Sequence, residues 1–498
     1  MIDINKASNM DGSEFDHRWT LRVAIIVFWS LWAGMLWYIY HYTGSTTYTL
    51  LQNMGILGWV QFLLSILTYF CIYKVIICPY LIYLSLLFLF SFGQSLLYPI
   101  NAVTESRDLL NTLILHFGYN DIFEAQCISL LFICGIHIGA ILSSALPQFK
   151  TPEITEDESK KWSDSIRLVG YGIVIISCPS FIVNTIFNIS AVNENGYNGI
   201  YESNAIGTAK ILAWIGQFFI IGILCLLVAE HRNKTRRMIL FIIISIYILY
   251  GFFLGGRTPS MILFFILILY YHTAIHKLKF NIRTLAVIVL GLVMATICVN
   301  VANSRLESNR TLHSTITSVA PLAIDEPIYD VVSEAGWSMF PLLASRYIIP
   351  IQQPYMNGRS YLFSFLTLIP NLNFWDIHPA KKYTVLGDWL QNELGMNYGP
   401  GFSTVAEAYV NFGLFGFFFC IIYGMFQNTI FLLMPRDKIA NCLLRVLMVI
   451  IYLFLTLAII RNSFVNTIRA VCFTMLPIYI LIIIVHNSII HKNTVKAK

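Results

Sequence analysis

Charge is what this sequence has least of. Its 498 residues include 32 lysines and arginines and 26 aspartates and glutamates, 12% in all, while 57% are hydrophobic and the mean hydropathy is +0.69. A soluble domain carries about 25% charged residues, so too little polar surface exists here to face water on all sides. A soluble globular enzyme is excluded. The net charge of +6 gives no basic surface of the kind that nucleic acid requires, and no nucleic-acid partner is expected. Also missing are Cys-x-x-Cys, His-Glu-x-x-His and Asp-x-Asp, as are the glycine-rich phosphate loops of nucleotide-driven pumps. No metal and no cofactor are expected. The ten cysteines all fall in apolar stretches, which excludes a disulfide framework.

What is present is a series of apolar runs of the length that crosses a bilayer, about 20 residues each. They lie at about 21–40, 54–73, 75–97, 123–146, 167–190, 207–229, 238–254, 259–275, 284–302, 404–434, 440–460 and 467–487. The pattern predicts an all-α integral membrane protein of about 12 transmembrane helices. The expected organisation is a cytoplasmic segment 1–20, nine spans over 21–302, a large extracytoplasmic loop 303–403, three spans over 404–487 and a cytoplasmic tail 488–498. The first span follows a polar stretch that contains acids, so no cleaved signal peptide is expected. With both termini inside, 21 of the 32 lysines and arginines fall in cytoplasmic segments, as the positive-inside rule demands.

The exceptions carry the functional signal. Arg107, Lys210, Arg257, Arg305, Arg310, Arg346, Arg359, Lys381, Lys382, Arg461 and Arg469 fall on the outer side, and arginine outnumbers lysine there. A planar guanidinium suits bidentate recognition of phosphate, so these arginines point to a phosphorylated ligand outside. The alternative is that loop arginines pair with loop acids such as Asp325, Glu326, Asp330 and Glu334. In Gly255-Gly256-Arg257-Thr258-Pro259 the glycines end one span, Thr258 is placed to cap the next and Pro259 suits its first position, so Arg257 is expected in a tight hairpin beside a helix N-terminus. Arg461 to Arg469 forms the last such hairpin, with Arg469 expected in the first turn of the final span, where a cation is disfavoured unless an anion is bound.

The third element is Gly399 to Gly413, where the large loop re-enters the membrane. Ser403, Glu407 and Asn411 recur every four residues and should line one helical face. Glu407 is then either a general base or, through Thr404-Val405-Ala406-Glu407, the acidic member of a capping box. His313 is a second, weaker base candidate, and His378 reads as a surface residue.

The Gly-Gly-Arg hairpin, the run Gly399-Pro-Gly-Phe-Ser-Thr-Val-Ala-Glu-Ala-Tyr-Val-Asn-Phe-Gly413 and the Arg461-Asn462-Ser463 hairpin together resemble the Wzy-type oligosaccharide repeat-unit polymerases of bacterial O-antigens and related polysaccharides. The likeness covers about residues 250–475. It implies a multi-spanning glycosyltransferase fold of the C type (GT-C) in the inner membrane that acts at the periplasmic face. The implied substrates are undecaprenyl-pyrophosphate-linked oligosaccharides, with membrane lipids and a chain-length regulator as further partners. Undecaprenyl pyrophosphate would be released, Arg257 and Arg469 would be the first choices for stabilising it, and Glu407 the base. Arg461, Arg305, Arg310, Arg346, Arg359, Asn411, Ser403 and His313 would bind pyrophosphate or glycan. Some members have an arginine and a glycine with ten residues between them in external loops. Here eleven residues separate Arg346 from Gly358, so that loop role does not transfer. An O-antigen ligase, which uses the same lipid donor, and a flippase for the lipid-linked unit remain as alternatives.

Overall fold

The computed structural model describes residues 12–41, 44–103, 108–111, 115–146, 152–195, 207–254, 257–278, 325–371, 374–396, 399–435 and 439–496. All regular structure among them is helical. The first part of the chain forms α1 (Gly12–Tyr40), α2 (Tyr48–Tyr73), α3 (Pro79–Phe92), α4 (Tyr119–Leu142), α5 (Glu156–Asn195), α6 (Gly207–Gly216), α7 (Phe218–Ala229), α8 (Lys234–Leu254) and α9 (Arg257–Tyr270). The connecting region adds α10 (Asp325–Gly336), α11 (Phe340–Ile348), α12 (Arg359–Ser364), α13 (Pro379–Thr384) and α14 (Leu386–Leu394). The chain closes with α15 (Thr404–Phe412), α16 (Gly416–Phe431), α17 (Leu443–Thr456), α18 (Val465–Ala470) and α19 (Leu476–Lys496).

Nine helices among the described residues are long and apolar enough to cross a membrane. A tenth follows if α3 and the turn after it, which bends by 85°, count as one broken span. The expected span at 440–460 is the 14-residue α17 followed by a 3-10 turn, and the one expected at 284–302 lies outside the described residues. The span expected at 167–190 is the apolar part of a longer helix, because α5 starts at Glu156. A 40-residue helix is about 60 Å long, twice the hydrocarbon thickness, so its charged first turns project beyond the bilayer. There Arg167 bonds Glu230 and Asp164, each at 2.6 Å, and Arg236 reaches Glu230 at 3.1 Å.

The centre of the bundle is α4, which packs against α16, α1 and α2. Gly135 and Gly139 form a Gly-x-x-x-Gly face on α4, and Gly424 answers it from α16. A Cβ at Gly139 would overlap the Ile421 carbonyl, and one at Gly424 would overlap that of Ile136. Small residues let the two backbones touch, the usual source of helix association where solvent is lipid.

The connecting region packs on the end of the bundle where α4 begins. Helix α10 lies against α3 and its break, where Gly336 faces Gly93 and Gln94 donates its side-chain amide to the Ser333 carbonyl at 3.2 Å. Helix α11 contacts α4 and α15. Arg346 on α11 forms an ion pair with Glu124 and donates to the Asp121 carbonyl at 2.9 Å, while Tyr347 donates to the Asp121 carboxylate at 2.7 Å. These bonds lock loop to bundle through side chains more than 200 residues apart in sequence.

Candidate active site

The motif Gly399 to Gly413 folds around its glycines. Gly401 takes φ +73° and brings the chain beside the Arg461 carbonyl. Ser403 is extended and its hydroxyl accepts the Ala406 amide at 3.1 Å, so Ser403 itself caps α15. The helix ends at Gly413, φ +56°, where a Cβ would lie 2.8 Å from the Tyr355 hydroxyl oxygen. Only glycine meets both demands.

Residues 355–364 strap this helix. The amides of Met356 and Asn357 donate to the carbonyls of Val410 and Asn411, both at 3.0 Å, and so satisfy acceptors that a helix end leaves open. Asn357 and Gly358 are left-handed, φ 51° and 81°, and turn the chain into α12. Ser360, one residue into α12, then donates its hydroxyl to Oε1 of Glu407 at 2.6 Å and accepts the Asn411 side-chain amide at 2.8 Å.

The hairpin 461–469 supplies the other side. Its Phe464 backbone amide, at the start of α18, donates to Oε2 of Glu407 at 2.6 Å. Glu407 is 1% exposed, Asn411 and Ser360 are fully buried, and the Tyr361 ring stacks on Phe419 and meets Phe464 edge-on beside them. Burial, and after it the Glu407 carboxylate, push the Tyr361 hydroxyl well above its ordinary pKa, so it stays protonated. Among the described residues Glu407 takes part in no ion pair, and the side-chain oxygens of Asn411, Tyr361 and Thr467 are buried without a partner.

Several expectations change with this geometry. The capping box is not formed: the cap is Ser403, one residue earlier than Thr404, and Glu407 serves the start of α18, not of its own helix. The Ser403 hydroxyl is engaged by its own helix, so only Glu407 and Asn411 of the three face Ser360. Arg469 sits in the second turn of the final span, which starts at Val465, and the anion at that helix start is Glu407. A Thr258 cap is not formed either, because α9 opens at Arg257 and places Pro259 inside its first turn, where the missing N–H is harmless.

The arginines divide into two kinds. Arg346 is neutralised by Glu124, not by the loop acids. Arg359 and Arg469 are exposed and make no ion pair among the described residues, and the Arg359 guanidinium lies 6.0 Å from the centre of the Tyr383 ring. Arg461 packs its guanidinium 5.2 Å from the Phe90 ring of α3. The segments that carry Arg359, Arg461 and Arg469 meet at Glu407, because α12 and α18 touch and both are bonded to it. Helix α9, which Arg257 opens, packs on α17 and on the 457–461 turn that ends at Arg461. The Arg257 side chain lies outside the described residues, as do Arg305, Arg310 and His313. His378 caps α13 by accepting the Ala380 amide and bonds the Ile369 carbonyl with its other nitrogen. Sequence reasoning missed Ser360 and the Phe464 amide. The Asn357-Gly358 turn signal beside Arg359 was the one clue to the first.

A family model for the O-antigen polysaccharide polymerase Wzy matches residues 23–494, nearly the whole chain. No curated protein and no solved structure matches the chain.

Proposed function

The chain belongs to the O-antigen polysaccharide polymerase Wzy family, membrane-embedded polymerases of the glycosyltransferase type, and from that premise we propose a specific reaction for it. A hydroxyl of an incoming undecaprenyl-pyrophosphate-linked repeat unit attacks the anomeric carbon of the growing chain's reducing-end sugar. A new glycosidic C–O bond forms, the bond from anomeric carbon to pyrophosphate breaks with its electron pair going to the pyrophosphate oxygen, the hydroxyl proton passes to water or to the departing pyrophosphate, and undecaprenyl pyrophosphate leaves. The reaction takes place at the periplasmic face of the inner membrane, in a GT-C-like bundle, and needs no nucleotide sugar.

The observation that supports this reading is the meeting, at one buried carboxyl, of the segments that carry Arg359, Arg461 and Arg469. Pyrophosphate is already a competent leaving group, so the protein's task is to stabilise charge as the anomeric bond opens. Preorganised cations in a site of low dielectric do this with little reorganisation. Arg461 and Arg469 take that role with Arg257, whose helix packs on the same turn; Arg359 holds the second phosphate or the adjoining sugar. Asn411 and the connecting helices align donor and acceptor, an effect of position. The large connection 303–403 is the periplasmic subdomain in this reading. Chain length is set with a separate regulator.

The test is a deletion strain complemented with the intact gene or with arginine variants. The expected outcome is lipopolysaccharide with a single repeat unit in the deletion and a full ladder on complementation. Bare core in the deletion would identify a ligase instead. A flippase would give no polymer when the purified protein is supplied with lipid-linked units in vesicles. A reporter fused at Asn357 should be exported; reporter activity in the cytoplasm would reverse the orientation.

A further inference from the structure

Glu407 has the position of a clip. Its carboxyl is 1% exposed, one oxygen takes the Ser360 hydroxyl and the other the Phe464 amide, each at 2.6 Å. The Asn411 side-chain amide, donating both to Ser360 Oγ and to the Glu407 carbonyl at 2.8 Å, holds the first of these links in register. The two links reach different parts of the chain, 47 and 57 residues away. Each attaches to a segment that carries exposed arginine: Ser360 is next to Arg359, and Phe464 lies between Arg461 and Arg469. A side chain so enclosed, with both oxygens engaged by protein donors, is poorly placed to take a proton from a sugar hydroxyl. It is well placed to fix the separation of two cationic segments that no backbone hydrogen bond connects among the described residues.

We infer that Glu407 is a positioning residue: its carboxyl sets the distance between the Arg359 segment and the Arg461–Arg469 hairpin, and it acts on the diphosphate through those arginines and not as the base. The inference rests on the reading that these arginines meet the diphosphate. The role needs hydrogen bonds and no titration. A glutamine at 407 still accepts the Phe464 amide with its oxygen and donates to Ser360 Oγ with its nitrogen, whereas an alanine severs both links.

The experiment compares the intact protein with Glu407→Gln and Glu407→Ala in lipid nanodiscs. Hydrogen–deuterium exchange is read on peptides covering 359–364 and 461–470, and polymerisation of lipid-linked repeat units is followed across pH. The expected result is faster exchange in both peptides for the alanine variant, by about tenfold or more, and near-native protection for the glutamine variant. The glutamine variant should also keep polymerisation within about fivefold of native with an unshifted pH profile, while the alanine variant loses it. Protection that survives in Glu407→Ala, or is lost in Glu407→Gln as in Glu407→Ala, overturns the inference. So does a glutamine variant with native protection and a polymerisation loss of about a hundredfold or more, which would mark a base. Exchange does not depend on the reaction, so failure of the polymerase reading appears separately, as an intact protein that makes no polymer.

Discussion

Two of the buried polar clusters among the described residues differ in how completely they are satisfied. Between α1, α2, α3 and α4, His137 bonds the Tyr80 hydroxyl at 2.8 Å through one ring nitrogen and the Thr68 hydroxyl at 2.9 Å through the other, and Thr68 also receives the Trp29 indole at 3.2 Å. A turn further on, Asn428 of α16 accepts from Tyr69 and donates toward Tyr73, Ser143 and the Ala140 carbonyl. Each of these groups has a partner, and no arginine is among them. The Glu407 cluster is smaller, draws on three distant segments, leaves Asn411 Oδ1 and Thr467 Oγ1 without partners, and has arginines along its edge. Polar groups that close on one another hold helices in register. Unpartnered ones keep capacity for a further hydrogen bond.

The contrast can be broken from either side. The largest effect is expected from Arg461→Ala or Arg469→Ala: loss of one preorganised cation should cost about 10²–10³ in polymerisation rate, leaving single-unit lipopolysaccharide on gels with the protein still present in membranes. Unchanged ladders would remove these arginines from the chemistry. Ser360→Ala takes one donor from Glu407 while keeping the Phe464 link, and should lower the rate by roughly tenfold, the equivalent of one buried polar group left short of a partner. Arg346 tests whether every outer arginine belongs to the site. If Arg346 only docks α11 on α4, Arg346→Met should reduce activity by less than about tenfold, and adding Glu124→Gln should recover most of it by relieving the stranded carboxylate. A hundredfold loss that the second change does not recover would place Arg346 among the phosphate ligands. The smallest effect on catalysis is expected from His137→Ala. Its cost should appear as about 2–4 kcal/mol of lost stability, seen as a lower melting temperature in detergent, with activity per folded molecule nearly unchanged.

The helical membrane character was legible in sequence because a run of about 20 apolar residues is a local signal. The break after α3 was not, because Gly93 is one glycine in an apolar run and the helix that packs on it, α10, lies more than 200 residues away. The site was legible in its residue types and not in its pairings. Glu407, Asn411, Arg461 and Arg469 stand out by charge or spacing, yet the hydrogen-bonding role that sequence offers Glu407, beside that of a base, is on its own helix because capping rules are local. Its partner is an amide 57 residues downstream, and a backbone amide leaves no trace in composition. The same reasoning explains Arg346, whose carboxylate lies on a span far upstream and not among the acids nearest in the loop.

The contact between Gly336 and Gly93 has a practical consequence. The helix before Gly336 touches the spans with no side chain in between, and the following helix is tied by Arg346 and Tyr347 to the first turns of α4. Residues 325–396 therefore draw their stability from the lipid-embedded part, and excised as a soluble fragment they would expose the apolar faces of α10 and α11 to water. Binding studies with glycans or with inhibitors directed at this connection call for the full-length chain in a bilayer.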